Sequence, residues 1–237
     1  MIMNKQSNSY TIIYIIALVL VVGSALALTA MALKPLQQEN ADADKKRQIL
    51  ASVHVTAGAD EISSTFDRYV TDQFIVNEKG ERIGDNAFAV NVANESKEAA
   101  DIRQLPVYIC TLPDNGATKY ILPVYGAGLW GPIWGYVALD ADGSTVYGAY
   151  FAHQGETPGL GAEIEKPAFS GQFEGKQMFK NDRFLPVTVV KAGQKPLGDE
   201  DYVDAVSGGT ITSKGVAAML TDCLMPYKNF LETLRTR

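Results

Sequence analysis

The sequence predicts an α+β protein, a single N-terminal transmembrane helix followed by an antiparallel-sheet domain with packed helices. Three observations lead there. Thr11 to Leu33 is a run of 23 residues without a charge. From about residue 65 the chain becomes a series of short Val-, Ile-, Tyr- and Phe-rich runs separated by Gly, Pro and Asp. Its last segment then repeats apolar residues at three-and-four spacing, the period of one helix face.

The uncharged run comes first in the chain. At 1.5 Å rise per residue, about 20 apolar residues cross a hydrocarbon core of roughly 30 Å. A cleaved signal peptide is the competing reading, since Ala25-Leu26-Ala27 and Ala30-Met31-Ala32 offer small-x-small steps. Signal cores run only about 7–15 residues, so an uncleaved anchor is expected. The organisation read from this is a tail over 1–10, a transmembrane helix over 11–33, a linker and juxtamembrane helix over 34–52, and one folded domain over 53–237. Pro35 permits a break after the anchor, and charges dominate positions 39–47. Lys5 precedes the anchor while Lys34, Lys45, Lys46 and Arg47 follow it. Charge counting therefore weakly puts the domain in the cytoplasm, yet Glu39, Asp42 and Asp44 dilute that cluster, and large domains are translocated regardless of nearby charge.

Beyond residue 33 lie 20 basic and 27 acidic residues, a net charge of −7. Nucleic-acid binding needs a basic surface, so that class is excluded. Cys110 and Cys223 are too few for a disulfide scaffold and lack metal-site spacing; buried free thiols are expected.

The clearest strands are KYILPVYG (119–126), IWGYVALD (133–140), STVYGAYFAH (144–153) and FLPVTVVKAG (184–193), all rich in residues that suit a pleated, half-buried surface. LDADGSTV places Asp142-Gly143 in a hairpin turn. It lacks the third acidic ligand and the distal Glu of a calcium loop. At the C-terminus Val216, Met219, Leu220, Cys223, Leu224, Tyr227, Phe230, Leu231 and Leu234 share a helix face, which Pro226 kinks or divides.

Three Gly-rich stretches carry the candidate chemistry. SGGTITSKGV (207–216) follows the strand-like DYVDAV and opens the final helix. Thr210, Thr212 and Ser213 sit where N-cap hydroxyls belong. The same stretch offers unpaired N–H groups, the positive end of the helix dipole and Lys214, an arrangement that attracts phosphate. HQGETPGLGAEI (153–164) has Gly155, Gly159 and Gly161 leaving room for a flat ligand, Glu156 and Thr157 able to hydrogen-bond its polar edges, and Leu160 offering an apolar face. Its spacing is not that of a dinucleotide-binding GxGxxG loop. His153 is a structural or a working histidine, and with His54 far away in sequence no metal site is expected. GAGLWGPIWGY (126–136) sets two indoles among four glycines, and Trp130 packs at a bend or shields an aromatic cofactor.

Taken together, the N-terminal anchor, the HxxETPGLG-like residues 153–161 and SGGTITS at 207–213 resemble the FMN-binding domain family found in the C subunit of the Na+-translocating NADH:quinone oxidoreductase. The likeness covers essentially the whole chain, GLWGPIWGY and the terminal helix included. It implies FMN joined through its phosphate to a threonine by a phosphoester bond. The family pattern, Asp-x-x-Ser-Gly-Ala-Thr-x-Thr, falls on Asp204 to Thr212, so Thr212 is the implied acceptor, with Gly209 replacing the usual alanine. Ser207, Gly208, Gly209, Thr210, Ser213 and Lys214 would then surround the phosphate. Glu156, Thr157, Leu160, Gly161 and Trp130 would bind or flank the ring and ribityl chain. No side chain is expected to do redox chemistry itself, because that belongs to the flavin.

The resemblance further implies an electron relay within a complex that oxidises NADH, reduces quinone and exports Na+. Its partners are other membrane subunits, the lipid bilayer, and a flavin transferase that uses FAD as donor. The implied location is the cytoplasmic membrane, single-pass, with the flavin domain outside, against the charge count. Two rivals stand beside this reading: the G subunit of the related Rnf complex, which shares the threonyl-FMN motif, and a membrane-anchored binding or scaffolding protein without flavin. A free-standing hydrolase has no nucleophile with an oriented base in its sequence.

Overall fold

The computed structural model describes residues 8–114 and 116–236; of the tail expected over 1–10, residues 1–7 with Lys5 lie outside them. Helix α1 runs over Asn8–Ala51 without interruption. One part is apolar enough to cross a membrane, and its side chains from Ile12 to Leu36 are exposed. The break expected at Pro35 is absent. A proline removes one backbone hydrogen bond and crowds the carbonyl four residues back, a local cost that a long helix tolerates. What was expected as a polar linker is therefore helix.

The chain divides into two compact units at Lys45–Lys46. In the second unit the final turns of α1 bury Ile49 and Leu50 completely. Gln48 Oε1 accepts a hydrogen bond from Trp134 Nε1 at 2.9 Å. His54, in the left-handed region at φ 61°, turns the chain out of the helix. Helix α2 (Ile62–Tyr69) buries Ile62 and Phe66, four residues apart on one face. It runs straight into strand β1 (Val70–Val76).

β1 opens a six-stranded sheet with β2 (Arg82–Gly84), β3 (Leu105–Thr111), β4 (Thr118–Ala127), β5 (Pro132–Asp140) and β6 (Val146–His153); the short helix α3 (Val92–Glu95) precedes β3. The order is β2-β1-β3-β4-β5-β6, and every neighbouring pair is antiparallel. Alternation sorts the side chains to two faces. Val107, Leu122, Val124, Val137, Leu139 and Phe151 join the main core. Tyr108, Ile121, Tyr136 and Ala138, also buried, alternate with them on the opposite face. There the Tyr108 hydroxyl donates to Ala87 O at 3.1 Å.

After β6 come helix α4 (Pro167–Ser170), the hairpin β7 (Phe179–Lys180) and β8 (Arg183–Phe184), and the parallel pair β9 (Thr188–Val190) and β10 (Tyr202–Asp204). The single strand expected over 184–193 is thus two pieces. Pro186 between them has no N–H to give a ladder. Helices α5 (Thr210–Leu224) and α6 (Lys228–Arg235) close the chain, joined by a 3-10 turn over Met225–Tyr227 where Pro226 divides the expected helix. They cover the main core face. Phe230 meets the rings of Phe74 and Tyr120 edge-on at 5.8 and 5.9 Å, and the buried Tyr227 hydroxyl donates to Pro106 O at 2.8 Å. Cys110 and Cys223 are free and buried, and burial pushes the Cys110 thiol up to about 11.

The β5–β6 hairpin forms where Asp142-Gly143 predicts it. Asp142 Oδ1 accepts the amides of Ser144 and Thr145, each at 2.8 Å, and Oδ2 accepts the Thr145 hydroxyl. Gly143 takes φ 65°, and a Cβ there would stand 2.9 Å from Leu231 O in α6. Partial burial raises the Asp142 carboxyl, but the hydrogen bonds from Thr145 and Ser144, with the Arg235 charge, outweigh it and hold the group below the usual carboxylate range. A depressed folded pKa adds stability above the unfolded value, about 3.9, and loses it as pH falls through the folded value. Asp142→Ala should therefore lower the unfolding free energy by about 1 kcal/mol at pH 7, a figure discounted for the solvent that reaches the turn. In urea titrations the gap between wild type and variant should shrink steadily below about pH 4.

Candidate functional site

Sheet register brings two loops to one end of the domain. Ala127 faces Pro132 in the β4–β5 ladder, and Ile133 faces His153 in the β5–β6 ladder. The Gly128–Gly131 turn and the loop leaving His153 therefore start side by side. Helix α5 is laid along β4 by two glycines. A Cβ on Gly126 would stand 2.7 Å from Met219 Cβ, and one on Gly215 would run into Ala127 O. With nothing larger in between, the first turn of α5 reaches both loops.

The three segments meet at one carboxyl group. Glu156, from the β6 loop, is 5% exposed, and Thr212, from α5, is 1% exposed. Thr212 Oγ1 donates to Glu156 Oε2 at 2.5 Å, and the Trp130 backbone N–H donates to Oε1 at 2.8 Å. The Glu156 amide donates to His153 Nδ1 at 3.2 Å, and the His153 amide donates to Glu165 Oε1 at 3.1 Å. A carboxylate taken from water without partners costs several kcal/mol. Here the two donors offset that cost, and the helix, the turn and the loop are tied together by it.

Glycines make the room. A Cβ on Gly161 would run into Glu156 Oε2 and stand 2.5 Å from Thr212 Oγ1, and one on Gly128 would stand 2.5 Å from Glu156 Oε1. Buried Gly209 would place a Cβ 3.3 Å from Gly161 Cα, and Gly208, at φ 74°, passes under Leu160 Cδ2.

The hydroxyls of this stretch do not cap the helix as their positions suggest. The cap position is Gly209, with no side-chain hydrogen bond, and the helix begins with Ser213 N–H donating to Gly209 O at 2.8 Å. Ser213 is buried and its Oγ accepts the Val206 amide at 3.1 Å, which holds the preceding turn instead. Each of the two buried hydroxyls, on Thr212 and Ser213, has a tertiary or turn partner in place of the early helix amides. Ser207, Gly208, Thr210, Ser213 and Lys214 line a hollow of about 370 Å³ with Lys191 and Lys195. Thr210 and Lys214 share one face of the helix, while Thr212, at about 100° per residue, points the other way. Thr212 and Glu156 are accordingly not in that hollow. Thr157 is exposed and contributes its carbonyl, which accepts the amides of Leu160 and Ala162 at 3.1 and 3.2 Å.

Sequence reasoning singled out Glu156 and Thr212 separately and did not pair them. It also passed over Gly128, whose signal was only one glycine among several. Trp130 is 69% exposed, and its part in the buried pair is played by its backbone. Leu129, Leu160 and Ile211 are exposed as well, so apolar side chains from all three segments lie at the surface around the buried pair.

The FMN-binding domain family matches residues 128–225, a span that holds every one of these residues. The C subunit of the Na(+)-translocating NADH-quinone reductase of Vibrio anguillarum is 35% identical over 231 residues, covering 90% of this chain and 89% of that protein. Its counterpart from Yersinia pestis is 33% identical over 233 residues, with 90% and 87% covered. The chain belongs to this family of C subunits. Among solved structures, the C subunit of the Na(+)-translocating NADH-quinone reductase from Parabacteroides distasonis is 47% identical, superposes with a TM-score of 0.78, and is covered to 96% by 84% of this chain. NqrC of Shewanella oneidensis, at 27% identity, gives a TM-score of 0.68 with 83% and 98% covered.

The crowding at Gly161 gives a test of the buried pair. Neither Glu156 nor Thr212 can swing away without leaving a buried polar group unpaired, so Gly161→Ala should cost about 1–3 kcal/mol in denaturant unfolding. Gly155→Ala, in the same loop with nothing within 4 Å of its Cβ position, should change stability by less than about 0.5 kcal/mol.

Proposed function

We propose that this chain is the electron-relay flavoprotein subunit of a membrane complex that couples NADH oxidation and quinone reduction to Na+ export, with FMN phosphoester-linked to Thr212. The observation that carries the attachment is the setting of Thr212. Its hydroxyl lies in the first turn of α5, hydrogen-bonded to a carboxyl and packed against glycine, while Leu129, Trp130, Leu160 and Ile211 expose apolar surface around it. Exposed apolar groups drawn together from three segments favour a ligand with a flat apolar body.

FMN, when bound, supplies the electron transfer. The residues of this chain hold it, exclude water and set its position. Thr212 Oγ1 would carry the phosphate, with Gly208 and Gly209 leaving room beside it. Leu160 and Trp130 would flank the ring. An ester bond keeps a cofactor on a domain whose site faces solvent. Since Thr212 is almost fully buried, Leu160–Gly161 must back away from Gly208–Gly209 for the phosphate to arrive.

Among the described residues one helix is long and apolar enough to cross a membrane, too few to build an ion path, which supports a relay role beside other membrane subunits. The names of the curated relatives support the quinone reductase over the Rnf complex as the parent. A flavin transferase would load the chain, and the domain would sit outside the cytoplasmic membrane, since a folded domain of this size is translocated against a weak charge bias.

Full-length protein co-expressed with a flavin transferase, denatured and run on a gel, should fluoresce as flavin does, and Thr212→Ala should be dark. The variant should still fold, about 1–3 kcal/mol less stable because Glu156 loses a buried donor. A dark wild type would remove the flavin reading and leave the binding protein, and a fluorescent Thr212→Ala would remove Thr212 as acceptor.

A further inference from the structure

We infer that Glu156 is the general base for attachment of FMN to Thr212, a step that rests on the reading of Thr212 as acceptor. A threonine hydroxyl is a weak nucleophile unless a base within hydrogen-bond reach takes its proton. Glu156 Oε2 lies 2.5 Å from Oγ1 and receives that hydrogen. The lysines of the neighbourhood line the hollow on the other side of the turn, so the ionisable group bonded to Oγ1 is Glu156.

The carboxyl is held in place from two further directions, by the Trp130 amide on Oε1 and by its own amide on His153 Nδ1. Such anchoring matters because the segment that must open lies just beyond it. Gly159, at φ 75° with nothing within 4 Å of its Cβ position, is where Leu160–Gly161 would have to swing while Glu156 stays with the hydroxyl. A buried hydroxyl that needed only a structural acceptor would be served by a neutral amide, without the cost of burying a carboxylate.

The donor is a flavin dinucleotide with a pyrophosphate bridge. Oγ1 forms a bond to the phosphorus nearer the flavin, the P–O bond to the second phosphate breaks, and the leaving nucleoside monophosphate takes the bonding pair. The Oγ1 proton passes to Glu156 Oε2. No atom changes oxidation state. Protonated Glu156 is then neutral beside the new phosphodiester, which removes the repulsion two anions would suffer at that distance.

The test uses full-length chain purified without flavin in detergent, mixed with FAD and a flavin transferase, with covalent loading followed by in-gel fluorescence. Glu156→Gln keeps the shape and the acceptor for the Trp130 amide but cannot take a proton. Its loading rate at saturating FAD, per folded molecule by circular dichroism, should fall at least about 100-fold, with the KM for the chain within about three-fold of wild type. Formate, a carboxylate small enough for the space left by Glu156→Ala, should restore loading to that variant. Loading of Glu156→Gln within about three-fold of the wild-type rate overturns the inference, as does a Glu156→Ala variant that formate cannot rescue. Thr212→Ala in parallel separates the two readings. Covalent flavin there overturns the acceptor itself, whereas a dark Thr212→Ala beside a fast Glu156→Gln removes only the base.

Discussion

The contact on which the site depends is the buried hydrogen bond between Thr212 and Glu156. A carboxyl with little access to water requires its donors, so its three neighbours are fixed relative to one another: the first turn of α5, the turn between β4 and β5, and the loop after β6. Loss of any donor leaves charge or lone pairs in a medium that solvates them poorly. The same demand excludes side chains from the positions beside the carboxyl, where Gly128 and Gly161 stand.

The antiparallel sheet makes the contact possible. Strands β4, β5 and β6 pair in sequence, so the turn after Ala127 and the loop after His153 emerge at one end. Helix α5 is set against β4 by Gly126 and Gly215 and continues into α6, whose Phe230 packs on Phe74 and Tyr120. The core that anchors these helices therefore also decides how far the first turn of α5 reaches. Strands and helix set the positions of Glu156 and Thr212, while the loop after His153 has nothing within 4 Å of the Cβ positions of Gly155 and Gly159.

Much of this was legible in the sequence where one local rule decided the outcome. The long apolar helix follows from an uncharged run, the β5–β6 turn from Asp142-Gly143, and the divided terminal helix from apolar spacing interrupted by Pro226. The rest was illegible where a local preference met a tertiary competitor. Thr212 and Ser213 look like caps because a hydroxyl ahead of a helix can accept an early amide. In the fold Glu156 and the Val206 amide take them instead. Pro35 looks like a break, and a long helix absorbs it.

By itself the sequence determined the class of fold, the membrane-length helix, and a short list of polar residues set among glycines. Each of those depends on neighbours within a few positions, which a linear reading contains. Only the tertiary structure decided that Glu156 and Thr212, 56 residues apart, are hydrogen-bonded, that Lys214 lies on the far side of the helix that carries Thr212, and that Trp130 contributes its backbone. Those outcomes depend on strand register and on where a helix rests on a sheet. They are set by the packing of the whole core, so no stretch of sequence carries them alone.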